Sequence, residues 1–128
     1  MENTICVVED NLPIRKLFCT LLKKSGYEVS DFGDGKTALE WLKNNRPILL
    51  LCDILLPDMN GGEIMKFVRE LPYGKEVPIV AATGFAQLSD REKFLEIGFD
   101  GYISKPINTA IFVQEIVDLM NAKKDSLK

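Results

Sequence analysis

The chain has 128 residues, 46% apolar and 27% charged, the size and balance of one soluble globular domain whose core needs no metal or disulfide staple. Sixteen basic residues against 19 acidic leave a net charge of −3, which disfavours a strongly basic nucleic-acid binder. There is no histidine, so Ser-His-Asp and Cys-His catalysis, histidine-ligated zinc and a phosphohistidine on this chain are all excluded. No apolar run approaches the ~20 residues of a transmembrane helix, and Met1 leads almost directly into an apolar run without a basic n-region or cleavage site. Cys6, Cys19 and Cys52 lie in apolar runs, the pattern of reduced, buried thiols in a cytoplasmic protein.

In chain order, short apolar runs alternate with helical patterns. The runs cover residues 4–8, 27–30, 48–52, 77–82 and 101–103. Ile5-Cys6-Val7-Val8 and Ile48-Leu49-Leu50-Leu51-Cys52 are almost wholly apolar, as strands covered on both faces of a parallel sheet are. After the first run, Ile14, Leu17, Phe18, Leu21 and Leu22 form one helical stripe, with Pro13 near its first turn and Gly26 as a left-handed stop. Ala38, Leu39 and Leu42 mark a second helix ending before Pro47. Ile64, Phe67, Val68 and Leu71 mark a third, with Asn60 and Glu63 at capping-box spacing. Ser89 and Glu92 repeat that spacing before a fourth helix through Ile97, stopped by Gly98. The fifth spans about 108–120, and residues 123–128 read as a frayed polar tail.

Five strand–helix units in strict alternation predict an α/β fold, a doubly wound parallel sheet with right-handed crossovers. Placing the two most apolar strands centrally gives strand order 2-1-3-4-5, a flavodoxin-like (βα)5 arrangement. Ligands of such sheets bind beyond the carboxyl ends of the strands, at the switch point between the first and third. Glu9 and Asp10 follow the first strand, Asp53 the third, Thr83-Gly84 the fourth and Lys105-Pro106 the fifth. Three carboxylates therefore converge, flanked by a hydroxyl and an ammonium. At ~4 Å and an effective dielectric of 20 each pair repels by about 4 kcal/mol, so the cluster either holds a proton or recruits a cation. Mg²⁺ suits one or two carboxylates plus waters. Zinc lacks nitrogen and sulfur ligands at suitable spacing. A carboxylate nucleophile beside a cation, a lysine and a hydroxyl is a phosphoryl-transfer arrangement.

These pieces together resemble the receiver domain of two-component response regulators, of the single-domain CheY-like kind. The resemblance covers about residues 3–120. It rests on Glu9-Asp10, on Asp53 within Asp53-Ile54-Leu55-Leu56-Pro57-Asp58-Met59-Asn60-Gly61, on Thr83-Gly84, and on the run from Gly98-Phe99-Asp100-Gly101 to Ser104-Lys105-Pro106. It implies a receiver domain over residues 1–122 with Asp53 as phosphoacceptor. It further implies Mg²⁺ held by Asp10, Asp53 and the Leu55 backbone carbonyl, with Glu9 acting through water. Lys105 and Thr83 would engage the phosphoryl oxygens, Thr83 and Tyr102 would form a switch pair, and the Lys105–Pro106 bond would be cis. Leu56 departs from a frequent Met. Leu55 and Phe85 are apolar at positions that border the path of attacking water in that family, which implies slow loss of the phosphoryl group.

The expected function is a phosphorylation switch rather than a classical enzyme. A histidine kinase or histidine phosphotransfer protein would donate the phosphoryl group. A downstream protein target, or a second copy of the chain as a homodimer, would meet the surface of the fourth helix, fifth strand and fifth helix. Ile111, Phe112, Val113, Ile116, Val117, Leu119 and Met120 exceed one stripe on that helix. No DNA or membrane binding is expected; the alternatives are a free-standing protein, which the short lead into the first strand mildly favours, and one piece of a larger hybrid kinase. A flavodoxin-type electron carrier would need a hydroxyl- and glycine-rich phosphate loop where Glu9-Asp10-Asn11-Leu12-Pro13 stands. A dehalogenase-like phosphatase would need an acid where Leu55 stands. A purely structural module is opposed by Asp10, Asp53, Thr83 and Lys105 being present together.

Overall fold

The alternation of apolar runs and stripes becomes a single five-stranded sheet in the computed structural model, which describes residues 3–84 and 88–127. The elements are β1 (Thr4–Val8), α1 (Leu12–Lys24), β2 (Glu28–Phe32), α2 (Gly35–Asn44), β3 (Leu49–Asp53), α3 (Gly61–Arg69), β4 (Ile79–Thr83), α4 (Leu88–Ile97), β5 (Gly101–Ser104) and α5 (Phe112–Ser126). All strand pairs are parallel, in order β2-β1-β3-β4-β5. The CheY-like, flavodoxin-like architecture expected from the sequence is the one present.

Side-chain alternation along the central strands builds two cores. Cys6, Val8, Leu50, Cys52, Ile79 and Ala81 point to one face, where Ala38 and Leu42 of α2 and Ile64, Met65 and Val68 of α3 cover them. Ile5, Val7, Leu49, Leu51, Val80, Ala82 and Ile103 point to the other, against Phe18 and Leu22 of α1 and Phe112 and Ile116 of α5. Phe18 and Phe112 stack with centroids 5.2 Å apart, joining α1 to α5. Burial on both faces is why β1 and β3 read as continuous apolar runs. The three cysteines are free and buried.

Local sequence sets the element ends. Asn11 caps α1 by accepting from the Ile14 N–H at 3.0 Å. Asp34 does the same for α2 through the Thr37 N–H at 2.8 Å, and Asn60 for α3 through the Glu63 N–H at 2.9 Å. The Glu63 carboxylate of the expected capping box accepts from the Asn60 side chain. Gly26 and Gly98 stop α1 and α4 with φ of +94° and +122°, backbone that a Cβ disfavours. The Ser89 side chain of the second capping box lies outside the described residues.

Most strand ends lie within one or two residues of the sequence reading, and three shifts have a visible cause. β2 runs on to Phe32, because its pairing with β1 continues to Val8↔Phe32 and an edge strand tolerates the polar Asp31. α5 begins at Phe112 rather than 108, because the Asn108 side chain accepts from the Ala110 N–H at 3.0 Å and holds a separate turn. α5 also continues to Ser126 instead of fraying at 123, with Lys123 Nζ 3.0 Å from Asp100 Oδ1. Among the described residues no helix is long and apolar enough to cross a membrane.

Candidate functional site

Parallel strands end on the same rim, and the loops leaving β1, β3, β4 and β5 meet there. Glu9, Asp10, Asn11, Ile14, Asp53, Leu55, Thr83, Gly84 and Lys105 line one cleft. Carboxylate oxygens of Glu9, Asp10 and Asp53 all lie within 4.8 Å of one another. Glu9 is fully buried, Asp53 is 7% exposed and Thr83 2%, while Asp10 faces solvent. The rim geometry explains the difference: Asp53 is the last residue of a buried strand, and Asp10 is already in the loop.

Lys105 reaches in from the end of β5. Its ammonium pairs with Glu9 Oε1 and with Asp53 Oδ2 at 3.1 Å. The Asn11 N–H donates to the second Glu9 oxygen at 3.1 Å, and the Leu55 N–H to Asp53 Oδ1 at 3.2 Å. Burial pushes the Glu9 carboxyl up to about 7; the Lys105 hydrogen bond works against this, and neighbouring Asp53 adds to it. Burial alone would pull Lys105 down, but its bonds and charge pairing with Glu9 and Asp53 outweigh that and raise it. One ammonium faces three carboxylates, so the cluster retains an anionic surplus. The donors are all hard oxygens, which fits Mg²⁺ and not zinc. Cys52 adjoins Asp53 but points into the opposite core, and burial, then Asp53 and Glu9, push its thiol far up, so it is no nucleophile. The Lys105–Pro106 bond is cis.

The family model for the response regulator receiver domain matches residues 5–117. This chain belongs to that family. Among curated relatives, the polar-differentiation response regulator DivK of Brucella anthropi is 37% identical over 116 residues, covering 91% of this chain and 94% of that one. Among solved structures, the chemotaxis response regulator CheY4 of Vibrio cholerae superposes with a TM-score of 0.87 at 26% identity, covering 93% of this chain and 99% of that one. The receiver domain of sensor histidine kinase PA1611 from Pseudomonas aeruginosa has a magnesium ion coordinated in its active-site cleft. It matches with a TM-score of 0.84 at 29% identity over 94% of this chain and 99% of that one.

In this receiver, Thr83 and Tyr102 share a face of the sheet. Ala81 lies opposite Tyr102 and Thr83 opposite Ser104. Thr83 is two residues beyond Ala81, so alternation puts it on the Tyr102 side. Tyr102 is half-buried against the α2–α3 core. Leu55 is 61% exposed at the mouth of the cleft, and Phe85 lies outside the described residues.

Two supports were not legible in the sequence. Arg15 Nη1 donates to the Glu9 carbonyl at 3.0 Å while Nε sits 3.0 Å from Asp31 Oδ2, pinning the acidic loop between α1 and β2. Asp58 accepts from the N–H groups of Gly35 at 2.8 Å and Lys36 at 2.9 Å, fastening the loop after Asp53 to the N-terminus of α2. These hydrogen bonds hold its carboxyl below the usual range. Both contacts join residues from different strand–helix units, which no local spacing encodes.

Proposed function

We propose that this receiver accepts a phosphoryl group on Asp53 from the phosphohistidine of a partner histidine kinase or histidine phosphotransfer protein. The carrying observation is Lys105, which bridges buried Glu9 and Asp53 inside a carboxylate cluster with an anionic surplus. An Asp53 carboxylate oxygen forms the new O–P bond as the P–N bond of the donor breaks, and the freed imidazole takes up a proton. Asp10, Asp53 and the Leu55 carbonyl would hold Mg²⁺, with Glu9 acting through water. Bound there, the ion would neutralise charge on the phosphoryl oxygens. Lys105 already stands within reach of the acceptor, so it supplies its charge without moving.

Thr83 is the group left to respond. Its hydroxyl turns toward the phosphoryl oxygens, and Tyr102, on the same face one strand over, occupies the space released. This alters the α4–β5–α5 surface that a downstream protein reads. A shift from 1:99 to 99:1 between two such states takes about 5.5 kcal/mol of differential interaction, within reach of a few charge-assisted hydrogen bonds.

Purified histidine kinases and phosphotransfer domains, each charged with labelled phosphate and mixed with the protein, test this. The expected product is an adduct on Asp53 that requires Mg²⁺ and is absent in Asp53→Ala. A Mg²⁺-independent adduct, or label elsewhere in the chain, refutes the assignment. No adduct with any donor, acetyl phosphate or beryllofluoride would leave a purely structural receiver.

A further inference from the structure

Arg15 and Asp58, which support the two loops of the rim from behind, grip one and the same turn. Residues 33–36, between β2 and α2, lie between the loop that follows β1 and the loop that follows β3. On the first side, the Glu9 N–H donates to the Phe32 carbonyl at 2.9 Å, and Arg15 holds both the Glu9 carbonyl and Asp31. Its guanidinium lies so close over Gly33 that a Cβ there would run into it. On the second side, both Asp58 oxygens accept, one from the Gly35 N–H and one from the Lys36 N–H, and Met59 packs where a Cβ on Gly35 would stand.

The second loop is closed on itself between Asp58 and the rim. Leu55 pairs with Asn60 in an antiparallel bridge, and the Gly61 N–H donates to the Ile54 carbonyl at 2.8 Å. Fixing Asp58 therefore fixes Leu55. Asp53 is placed by β3 itself, whose last residue it is. Asp10 and Leu55 lie beyond strand ends, and the turn ties their loops to each other outside the sheet. Neither Arg15 nor Asp58 lines the cleft.

We infer that the β2–α2 turn braces the cation site, with Arg15 and Asp58 as positioning residues that set the separation of Asp10 from the Leu55 carbonyl and so keep the site fitted to Mg²⁺ rather than to a larger divalent cation. This rests on the ligand set proposed above, Asp10, Asp53 and the Leu55 carbonyl. Mg²⁺ demands near-ideal octahedral geometry, whereas Ca²⁺ accepts a flexible shell at longer distances. A separation that is held suits the smaller ion; one that drifts penalises Mg²⁺ more than Ca²⁺.

Calorimetric titrations of the intact protein with magnesium chloride and with calcium chloride test this. Asp58→Ala and Arg15→Met each weaken Mg²⁺ binding about tenfold, the order of an outer-shell loss, and weaken Ca²⁺ binding less. Asp58→Asn, which keeps one acceptor oxygen, retains most of the Mg²⁺ affinity. In the double variant the second change adds little, because one released side already frees the turn. Arg69→Met destabilises the other end of the sheet and leaves both affinities at the wild-type level. Amide exchange supplies a readout that needs no ion: in Arg15→Met the Gly35 and Lys36 N–H groups, bonded to Asp58 on the far side of the turn, exchange faster. Equal losses for the two cations, full additivity in the double variant, an Arg69→Met loss matching that of Asp58→Ala, or unchanged exchange at Gly35 and Lys36 each overturns the inference. Mg²⁺ uptake by the wild type that the variants match sinks this inference alone, whereas no uptake by the wild type sinks the cation assignment and the inference with it.

Discussion

Arg69→Met cuts a knot on the side of the sheet opposite the carboxylates. Arg69, at the end of α3, donates to the carbonyls of Gly74 at 2.7 Å, Val77 at 2.8 Å and Gly98 at 2.9 Å, and to Asp100 Oδ2 at 2.8 Å. The same carboxylate oxygen accepts from the Ile79 N–H at 2.8 Å, and its partner oxygen from Lys123. One guanidinium therefore fixes the end of α3, the lead into β4, the stop of α4 and the start of β5, and through Asp100 it reaches α5. Breaking a buried ion pair by removing one partner costs about 3–5 kcal/mol. Both side chains are 19% exposed, and Asp100 keeps Lys123 and Ile79, so the lower end applies, about 3 kcal/mol. Methionine preserves the stem packing and isolates the charge and hydrogen-bond loss. Urea unfolding followed by Trp41 fluorescence should show the midpoint lowered by about 1.5 M at unchanged slope. Asp10, Glu9 and Asp53 are remote from the change, so cation binding by the folded variant stays at the wild-type level. A loss under ~1 kcal/mol would class the pair with ordinary surface salt bridges and refute the reasoning. Weakened cation binding would refute the independence of the two ends.

Four further outcomes follow from the site. Glu9 holds its proton to about pH 7 when folded, against an ordinary 4.5; its contribution therefore favours folding at low pH and is lost as pH rises through about 7. Relative to Glu9→Gln, the wild type should lose about 3 kcal/mol between pH 4.5 and 8, and parallel pH profiles of urea-unfolding free energy would contradict this. Asp10→Asn should weaken Mg²⁺ binding in calorimetry by at least the ~10-fold that losing even an outer-shell partner costs, and unchanged affinity would remove Asp10 from the ligand set. Leu55→Asn, at the open mouth of the cleft, should shorten the lifetime of the Asp53 acyl phosphate several-fold by admitting ordered water; an unchanged decay rate would show that Leu55 does not screen the phosphoryl group. Asp58→Ala frees the loop after Asp53 from α2, so amide hydrogen exchange at Gly35 and Lys36 should speed up selectively, and uniform protection would count against that tether.

What could be read in the sequence was whatever repeats along one element. The buried strands β1 and β3 announced themselves as apolar runs, and the caps Asn60 and glycines Gly26 and Gly98 by their spacing from helical stripes. The rim residues were legible for a topological reason: once the strands are parallel, residues that follow different strands must share one edge. That put Glu9, Asp10, Asp53, Thr83 and Lys105 together before any distance was known. Arg15, Asp58, Arg69 and Asp100 stayed hidden as supports because each has a partner in another unit, 16 to 31 residues away. A charged residue on a helix looks the same in sequence whether it meets solvent or a carbonyl. Asn108 shows the reverse failure. It sits at the onset of a helical pattern, yet its side chain holds a turn and delays α5 to Phe112.

The two ends of the sheet divide the work, and their chemistry differs accordingly. At the far end, Asp100 has a hydrogen-bonding partner for each oxygen, and Arg69 spreads one charge over four acceptors; a network this complete resists change. At the rim, among the described residues, three carboxylates face one ammonium, and the buried Glu9 is held by Lys105 and a backbone N–H with Asp53 beside it. A cation bound there would relieve the like-charge repulsion of that cluster. A phosphoryl group on Asp53 would then give Lys105 a second, more highly charged anion to choose over Glu9. In the proposed switch the response would travel along β4 and β5, because Thr83 and Tyr102 sit on neighbouring strands whose far ends Arg69 and Asp100 tie together. Under the proposed function, a rigid base beneath an anionic rim would let a local change of charge tilt the α4–β5–α5 surface instead of dissipating through the sheet.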